Sequence, residues 1–405
     1  MKLSNQGRYR IEILTLCGKI DYWRTQLIPA DKESAEKLLE LEGIKSIYPL
    51  DCALNVDRLP FKITIDAMIA IAREAVKAKS YEEAAREFEH HYKVPISSTQ
   101  VKRVTEYIGG IVQEINAKAA EDAMKAQAQP FDRRTRRRRA NDVLYIEIDG
   151  AMVNTRIMQG GSTWMECKLA VAFHSRDIHY WTSKSGKKCH KILKRDYAGF
   201  IGSNSDFEPY LAALADRYDA IHCSEVVVIS DGAPWIAGTV GRLLPDHTVH
   251  ILDLFHVKEK VGDFAKYIFK NKENEYTPWA EKINDLIEDG KVDEVIREVE
   301  KYKDQKFPPG VPNLYVYLVN HRGQMNYPLY RSKGYFVGSG AIESANKQVM
   351  QSRLNLQGMR WYVSSAQCML ALKMMLESER WGEVEGMVRR YIHPEDAPAE
   401  AQKSP

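Results

Sequence analysis

Three aspartates that each follow a short apolar segment are the first candidates for chemistry in this sequence. VLYIEID ends at Asp149, VVVIS is followed by Asp231, and TVHILD ends at Asp253. Such β-branched apolar segments predict buried strands, and ligands of open α/β sheets gather outside the carboxyl ends of the strands. A single aspartate at a strand end can also start a turn or cap a helix. Its repetition at three strand ends favours a shared site.

The carboxylates suit hard divalent cations. Gly150 and Gly232 follow the first two aspartates and let a ligand approach the backbone closely. The sequence contains no CxxC and no convergent histidine pair beside them, so Mg²⁺ or Mn²⁺ is favoured over zinc. Two such ions, roughly 3.5–4 Å apart, activate a water or hydroxyl and stabilise the leaving oxygen of a phosphodiester. We therefore expect a third acid on a helix that packs against the sheet.

The segment GSGAIESANKQVMQSR, residues 338–353, contains a candidate for this third acid, Glu343. Ser339 can cap a helix that begins two residues later, which places Glu343 in the first turn. Lys347 then follows one turn later on the same face, and Arg353 continues that face. A glutamate with a lysine at i+4 suits a metal ligand beside a phosphate-binding cation, and an exposed ion pair is the ordinary alternative.

A helical region before the strands contains a pattern typical of DNA-binding proteins. In SYEEAAREFEHHYKVPISSTQVKRV, Ser80 predicts a capping box with Glu83, and the first helix is expected to end near His91. A short turn leads to a second helix at Ser97 or Ser98, so the pair predicts a helix-turn-helix, with an ordinary helical hairpin as the alternative. The residues predicted to face DNA are Ser98, Thr99, Gln100, Lys102 and Arg103.

An arginine-rich segment separates this helical region from the first strand. Residues 133 to 139 contain six arginines and no acid. Charge runs are commonly solvated linkers, but arginine binds phosphate through its bidentate guanidinium. We therefore predict contacts to the nucleic-acid backbone, which add affinity without sequence specificity. The arginines are Arg133, Arg134, Arg136, Arg137, Arg138 and Arg139.

The bulk composition is that of a chain able to bury a sizeable core. The 405 residues are 44% hydrophobic, carry a net charge of +3 and are long enough for two or three domains. Six scattered cysteines favour a reducing, cytoplasmic setting. The sequence shows no apolar signal core and no apolar run of membrane-spanning length, so no membrane association is expected.

Five segments, taken in order, resemble the DDE transposases of bacterial insertion sequences, closest to their Mutator-like branch. They are IEIDGAMVNTR, VVVISDGAPWI, LDLFHVKEKV, GSGAIESANKQVMQSR and GMRWYVSSAQCMLALKMM, which together span about 141–378. The resemblance implies that Asp149, Asp231 and Glu343 are the catalytic acids and hold two Mg²⁺ (or Mn²⁺) ions. It also implies auxiliary roles for Asp253 and His256, which match a motif after the second acid. Without the resemblance, His256 would equally suit a structural role.

The resemblance implies a reaction and partners as well. The expected activity is Mg²⁺-dependent DNA cleavage and strand transfer at insertion-sequence ends. The expected partners are DNA, as terminal inverted repeats and as target, and further copies of the chain in a homo-oligomer on DNA. Its expected location is the cytoplasm, at the bacterial nucleoid. Two alternatives stay open: a ribonuclease-H-like nuclease that never joins strands, and a DNA-binding regulator with vestigial acids.

The expected fold class is α/β, a ribonuclease-H-like mixed sheet with an all-α insertion, preceded by a small β-hairpin and a helical helix-turn-helix domain. MECKLAVAF (165–173) and IHYWTS (178–183) predict the second and third strands. The aromatic residues of the insertion either form its core or stack unpaired bases. The predicted segments are 1–55 (hairpin and connector), 56–129 (helix-turn-helix), 130–140 (arginine linker), 141–256 (catalytic, first part), 257–335 (helical insertion), 336–392 (catalytic, second part) and 393–405 (disordered tail).

Overall fold

The computed structural model describes residues 2–127, 139–159 and 162–394 of a mixed α/β protein. The chain forms two compact units. The first contains the described residues up to Ile115, Ser352–Gly358 and those from Ser364 onward, and the second contains Asn116–Gln351 and Met359–Val363. In the described ranges, no helix has both the length and the apolar composition that crossing a membrane requires.

The first unit begins with an antiparallel hairpin of β1 (Leu3–Thr15) and β2 (Gly18–Pro29). Gly18 has φ +119°, a conformation that favours glycine at this turn. The predicted hairpin is therefore present and is longer than expected. Two short helices follow, α1 (Lys32–Glu42) and α2 (Pro49–Ala53), and α2 lies within the segment predicted to be a connector.

Three helices complete the N-terminal part of the chain: α3 (Ile65–Lys77), α4 (Tyr81–Tyr92) and α5 (Ser98–Gln127). The Ser80 hydroxyl accepts a hydrogen bond from the Glu83 amide at 3.1 Å, as the capping pattern predicts. The Glu83 carboxylate accepts from the Lys79 amide instead of the Ser80 amide, so only half of the capping box forms. Five residues separate α4 from α5.

The second unit contains a five-stranded mixed sheet and a separate two-stranded ribbon. The sheet has the order β7-β4-β3-β8-β9; β3, β8 and β9 are parallel, and β4 is antiparallel to both of its neighbours. The ribbon is β5 paired with β6. The strand bounds are β3 Val143–Gln159, β4 Ser162–His174, β5 Ile178–Thr182, β6 Lys188–Ile192, β7 Asp196–Ile201, β8 Glu225–Ser230 and β9 Thr248–Leu252.

The third strand of the sheet is not the predicted one. IHYWTS forms β5, which pairs with β6 and not with the sheet, and DYAGFI (β7) takes the predicted place beside β4. After Ile178 the side chains of β5 are exposed, whereas nearly all of those of β7 are buried. Aromatic and β-branched residues favour strands in a ribbon and in a sheet alike, so strand propensity could not distinguish the two.

Alternation along β3 sorts its side chains onto two faces. Leu144, Ile146 and Ile148 are fully buried and belong to the core beneath α6 (Asn204–Arg217) and α7 (Pro234–Leu243). The intervening residues, including Glu147 and Asp149, therefore face the other side of the sheet. β3 does not end at Asp149 as predicted. It continues beside β4 to Gln159, so Asp149 lies where β3 passes the end of β8.

Helices fill the region between β9 and the segment that contains Glu343. They are α8 (Leu254–Ile268), α9 (Glu273–Glu288), α10 (Val292–Val299), α11 (Leu314–His321), α12 (Tyr327–Ser332) and α13 (Gly340–Ala345), which continues as a π-helical turn, Asn346–Gln351. Phe264 lies 5.3–5.9 Å from the rings of Trp279, Tyr302 and Phe307. Of the aromatic residues for which a core or base stacking was expected, Trp279 packs in this cluster and Tyr327, Tyr330 and Tyr335 are buried, whereas Tyr267 is exposed. The first unit ends with α14 (Val363–Glu377) and α15 (Trp381–Ile392).

Candidate active site

Asp149 and Asp231 lie on neighbouring parallel strands at the same level. The register pairs Ile148 of β3 with Ser230 of β8, so the two residues that follow are the two aspartates. Adjacent strands are about 4.8 Å apart. Asp149 is half-buried, and burial raises its pKa, with a further rise from the charge of Asp231. The sheet thus brings together two acids that are 82 residues apart in the sequence.

The backbone around Asp231 forms a tight turn. Its Oδ1 accepts a hydrogen bond from the Ala233 amide at 2.9 Å, and Gly232 has φ +84°. A Cβ at Gly232 would lie 2.7 Å from Leu252 and 2.9 Å from His321. Glycine is therefore required after Asp231 both for its conformation and for its close contacts.

The start of α13 is held against the sheet by two buried carboxylates, Asp253 and Glu147. Asp253 Oδ1 caps α8 by accepting from the Phe255 amide at 2.6 Å, and its Oδ2 accepts from the Ser339 amide at 2.8 Å and from the Ser339 hydroxyl. Asp253 thus holds the residue from which α13 begins. This predicted auxiliary residue positions backbone, and its two oxygens are already hydrogen-bonded.

Glu147 provides the second attachment of α13. Its Oε2 accepts from the Ile342 amide at 2.8 Å, and the Ala341 amide also bonds to the carboxylate. Burial raises the pKa of Glu147 to about 8, against the effect of these two amides, and the charges of Asp253 and Glu343 raise it further. Glu343 itself is exposed, in the first turn of α13. The third predicted acid is therefore fixed by its backbone beside β3, while its carboxylate stays accessible.

Asn346 is a residue of this region that the sequence analysis missed. Its amide nitrogen donates to Asp149 Oδ2 at 2.6 Å. Its carbonyl oxygen is buried and has no hydrogen-bond partner among the described residues, which is rare for a buried polar atom. Asn346 follows Glu343 by three residues, about one helical turn. That spacing was the signal that could have identified it.

His256 lies in the first turn of α8 and is partly exposed, with 32% of its side chain accessible. Its Nδ1 is 3.2 Å from Glu259. His256 is therefore accessible to solvent on the helix that Asp253 caps.

A partly buried polar network supports the strand that ends before Asp231. The Ser230 hydroxyl lies 2.8 Å from His250 Nε2, and His250 Nδ1 lies 3.0 Å from the Gln324 amide nitrogen. Gln324 Oε1 in turn lies 2.8 Å from His321 Nδ1. Burial lowers the pKa of His250 to about 4, so its ring is neutral at pH 7. The network joins β8 and β9 to the residues at the end of α11.

The three predicted acids do not all come within 4.8 Å of one another. In the described part of the chain, the residues that meet this criterion are Asp142, His174 and Cys223. These three lie near the amino ends of β3 and β8, at the opposite end of the sheet from Asp149. The Arg176 guanidinium already binds Asp142 at 2.6 Å, so this carboxylate is neutralised by the protein itself.

The predicted DNA-facing residues of α5 lie in its first two turns. Thr99 and Arg103 are exposed, whereas Ser98, Gln100 and Lys102 are partly buried, and Lys102 lies 3.7 Å from Glu106. Two helices with a short connection are present. Whether they bind DNA stays a prediction.

The other predicted phosphate-binding residues divide into three groups. Lys347 is exposed. Arg353 is buried: its guanidinium donates to the carbonyls of Ala75 and Lys79 and lies over the Tyr81 ring, so it does not face DNA as predicted. The reason is the π-helical turn after α13, which breaks the helical periodicity assumed for this face. Arg139 binds Asp219 at 2.6 Å, and the five arginines from 133 to 138 lie outside the described residues.

Comparisons with known proteins assign a family without a known activity. A search of curated proteins gave no match. One family profile, described as Uncharacterised protein family (UPF0236), matches residues 9–385, a range that begins within β1, ends within α15 and includes every residue of the site. The chain therefore belongs to the uncharacterised protein family UPF0236.

Proposed function

We propose that this protein is a DDE transposase that cleaves and joins DNA at the ends of an insertion sequence. The observation that carries the proposal is the alignment of Asp149 with Asp231 across β3 and β8, with the Glu343 helix fixed beside them. None of these three carboxylates forms an ion pair with a lysine or arginine within the described residues. A group of accessible acids without protein cations suits a divalent ion.

The sheet topology supports a ribonuclease-H-like catalytic domain. In chain order the strands of the sheet lie third-second-first-fourth-fifth, so the first and fourth strands are neighbours. The resemblance assigns one acid to the first strand and one to the position after the fourth. These two positions are the ones that the register aligns.

The residues fit a magnesium or manganese site by the chemistry of their donors. Asp149, Asp231 and Glu343 would hold the ions through carboxylate oxygens, and the unpartnered Asn346 oxygen is a further oxygen ligand beside Asp149. When bound, such ions activate a water or a 3′-hydroxyl and stabilise the leaving oxygen of the phosphodiester. Glu147 and Asp253 would have a positioning role, because their hydrogen bonds hold the start of α13 where Glu343 is accessible.

Cations and DNA-binding helices would position the substrate. Lys347 is exposed one turn after Glu343, and His256 is accessible on the helix that Asp253 caps, so both would be available to contact a phosphate next to the reacting group. In the first unit, α4 and α5 would act as a helix-turn-helix that recognises the terminal inverted repeats through Thr99 and Arg103.

The test uses the purified chain with duplexes that contain the DNA ends flanking its gene, some intact and some already nicked at the 3′ end. We expect Mg²⁺ or Mn²⁺ to support cleavage of the intact ends and joining of the nicked ends to a plasmid. Asp231→Asn should abolish both reactions, and Asp289→Asn, which changes an exposed aspartate of the inserted helices, should leave both unchanged. Cleavage without joining would show a nuclease, and binding without either reaction would show a regulator.

A further inference from the structure

The ribbon of β5 and β6, with the residues that follow it to Arg195, is a second surface with a strong chemical character. We call residues 178–195 the lysine ribbon. It lies between β4 and β7 in the sequence but forms no strand pairing with the five-stranded sheet. Its turn is closed by the Ser183 amide, which donates to the Lys187 carbonyl at 2.8 Å, and by Gly186 at φ +78°. The ribbon is thus an ordered hairpin that leaves most of its side chains in solvent.

The charge of the lysine ribbon is of one sign. Its 18 residues contain five lysines and one arginine and no acid: Lys184, Lys187, Lys188, Lys191, Lys194 and Arg195. All five lysines are exposed. Within the described part of the chain, none of them forms an ion pair, although lysines elsewhere in the second unit pair with neighbouring acids, as Lys258 does with Glu288. A row of unneutralised cations is costly through self-repulsion and indicates a polyanionic partner.

Exposed aromatic side chains lie among these cations. Tyr180 is 60% exposed and Trp181 is 44% exposed. The Trp181 ring stacks on His179 at 5.8 Å, and the Tyr180 ring lies 6.1 Å from His190. Large exposed aromatic groups are uncommon on a fully solvated surface, and here they mark the ribbon as an interaction surface.

The base of the ribbon is attached to the segment that carries Glu343. Arg195 donates to Gln348 Oε1 at 3.2 Å, and Gln348 lies five residues after Glu343. The His190 ring packs 4.9 Å from Phe336, four residues before α13 begins. The ribbon is therefore fixed relative to the candidate active site, and DNA bound to one would be held at a defined position relative to the other.

From these observations we propose that the lysine ribbon binds the phosphate backbone of duplex DNA beside the candidate active site. The choice of DNA as the polyanion rests on the proposed function. A two-stranded ribbon is of a size that a DNA major groove, about 12 Å wide, accommodates. Because lysine contacts to phosphate carry no base information, the ribbon would hold DNA of any sequence, such as DNA flanking the cleavage point.

The experiment measures binding of the full chain to a labelled, mixed-sequence DNA duplex between about 50 and 200 mM salt. The variant is the triple change Lys187→Ala, Lys188→Ala and Lys191→Ala. Its control is Lys301→Ala, Lys303→Ala and Lys306→Ala, in a segment where Glu300 and Asp304 alternate with the lysines. We expect the ribbon variant to lose at least about tenfold in affinity at low salt and to reduce the slope of log K against log salt by about 2–3. The control should bind as the unchanged chain does.

Several outcomes would overturn this assignment. One is a ribbon variant whose DNA affinity and salt slope are unchanged. Another is a control variant that loses as much DNA affinity as the ribbon variant. A third is a loss of affinity in the ribbon variant that is seen only with double-stranded RNA or with polyglutamate as the probe. Thermal unfolding of the variants checks that the changed side chains, all exposed, leave the fold intact. If the unchanged chain cleaves DNA and the ribbon variant binds DNA normally, the DNA-binding role of the ribbon is refuted and the transposase proposal is not. Weakened DNA binding in the variant with no cleavage by the unchanged chain would refute the transposase proposal alone.

Discussion

The parallel strands β3 and β8 have buried or half-buried acids at both ends, and the two ends stabilise them differently. At the amino ends, Asp142 binds Arg176 at 2.6 Å and lies 3.1 Å from His174 Nδ1, and Arg139 binds Asp219. We call this the paired end. At the carboxyl ends, the carboxylates of Glu147, Asp149, Asp231 and Asp253 accept hydrogen bonds from backbone amides. We call this the acid end.

The two ends differ in how far the charge of their carboxylates is compensated by the protein, and a cation-binding site requires that this compensation be incomplete. Removing charges from water is costly, and the paired end offsets that cost with guanidinium groups. The acid end relies on amide dipoles and on the Asn346 side chain, and no lysine or arginine within the described residues forms an ion pair there. Negative charge at the acid end is therefore only partly compensated, which is the condition in which a site binds a cation from solution.

The largest expected effect is at the acid end. Asp231→Asn should reduce DNA cleavage by at least about 1,000-fold, which corresponds to about 4 kcal/mol at 1.36 kcal/mol per tenfold. The same change should leave the free energy of unfolding unchanged or raise it, because it removes a charge that raises the pKa of Asp149. Cleavage rates and urea denaturation measure the two effects. A large loss of stability would mean that Asp231 is structural.

The opposite result is expected at the paired end. Asp142→Asn removes the charge from a buried carboxylate whose partners, Arg176 and Arg139, are half-exposed, and the loss of these charged hydrogen bonds should lower the free energy of unfolding by about 2 kcal/mol. Cleavage by the folded fraction should not change. If Asp142→Asn abolished cleavage without a loss of stability, the two ends would not differ as described.

A smaller effect is expected for Asn346→Ala. The change removes the amide that donates to Asp149 and the unpartnered oxygen beside it. Groups that orient a metal ligand typically contribute roughly 10- to 100-fold to activity or metal affinity. We expect a loss of cleavage in this range and a higher Mg²⁺ concentration at half-maximal rate. Ser344→Ala, on the same helix, is the matched control, and an unchanged Mg²⁺ requirement would argue against a role in holding the ion.

The smallest expected effect is a dependence of stability on pH, which compares His250, in the strand beside β8, with His174 at the paired end. The pKa of His250 is about 4 in the folded chain, below its ordinary value of 6.5, so the unfolded chain binds more protons between these values. The free energy of unfolding therefore has its full value above pH 6.5 and decreases as the pH falls toward 4. Between pH 7 and pH 5 we expect a decrease of about 1–2 kcal/mol. His250→Gln should remove this dependence. Burial also lowers the pKa of His174, so His174→Gln should remove a smaller part; an equal or larger effect of His174→Gln would contradict the comparison.

Local patterns in the sequence were sufficient for several features. Ser80 was identifiable as a helix cap, because a hydroxyl before a helix meets unpaired amides whatever the rest of the fold does. The three aspartates were identifiable because each follows an apolar segment of the sequence. Their roles were not, since Asp253 caps α8 and holds Ser339 while Asp149 and Asp231 lie side by side.

Other features depend on packing between distant segments. Arg353 was predicted to share a face with Glu343, but a π-helical turn intervenes and its guanidinium is buried. IHYWTS was predicted to join the sheet, but it pairs with β6 and leaves the lysine ribbon exposed. The spacing of Asn346 from Glu343 could have marked it as a candidate, but its importance comes from a contact to a residue 197 positions away.

The sequence by itself determined the hairpin of β1 and β2, the apolar strands before Asp231 and Asp253 and the helix cap at Ser80, because periodicity, caps and turn residues act over a few neighbouring positions. The tertiary structure alone decided which acids are neutralised and which stay available. A carboxylate is neutralised where an arginine binds it, as Arg176 binds Asp142, and keeps its charge where only backbone amides donate to it. The register of β3 with β8 and the attachment of α13 determine which of these partners each carboxylate has.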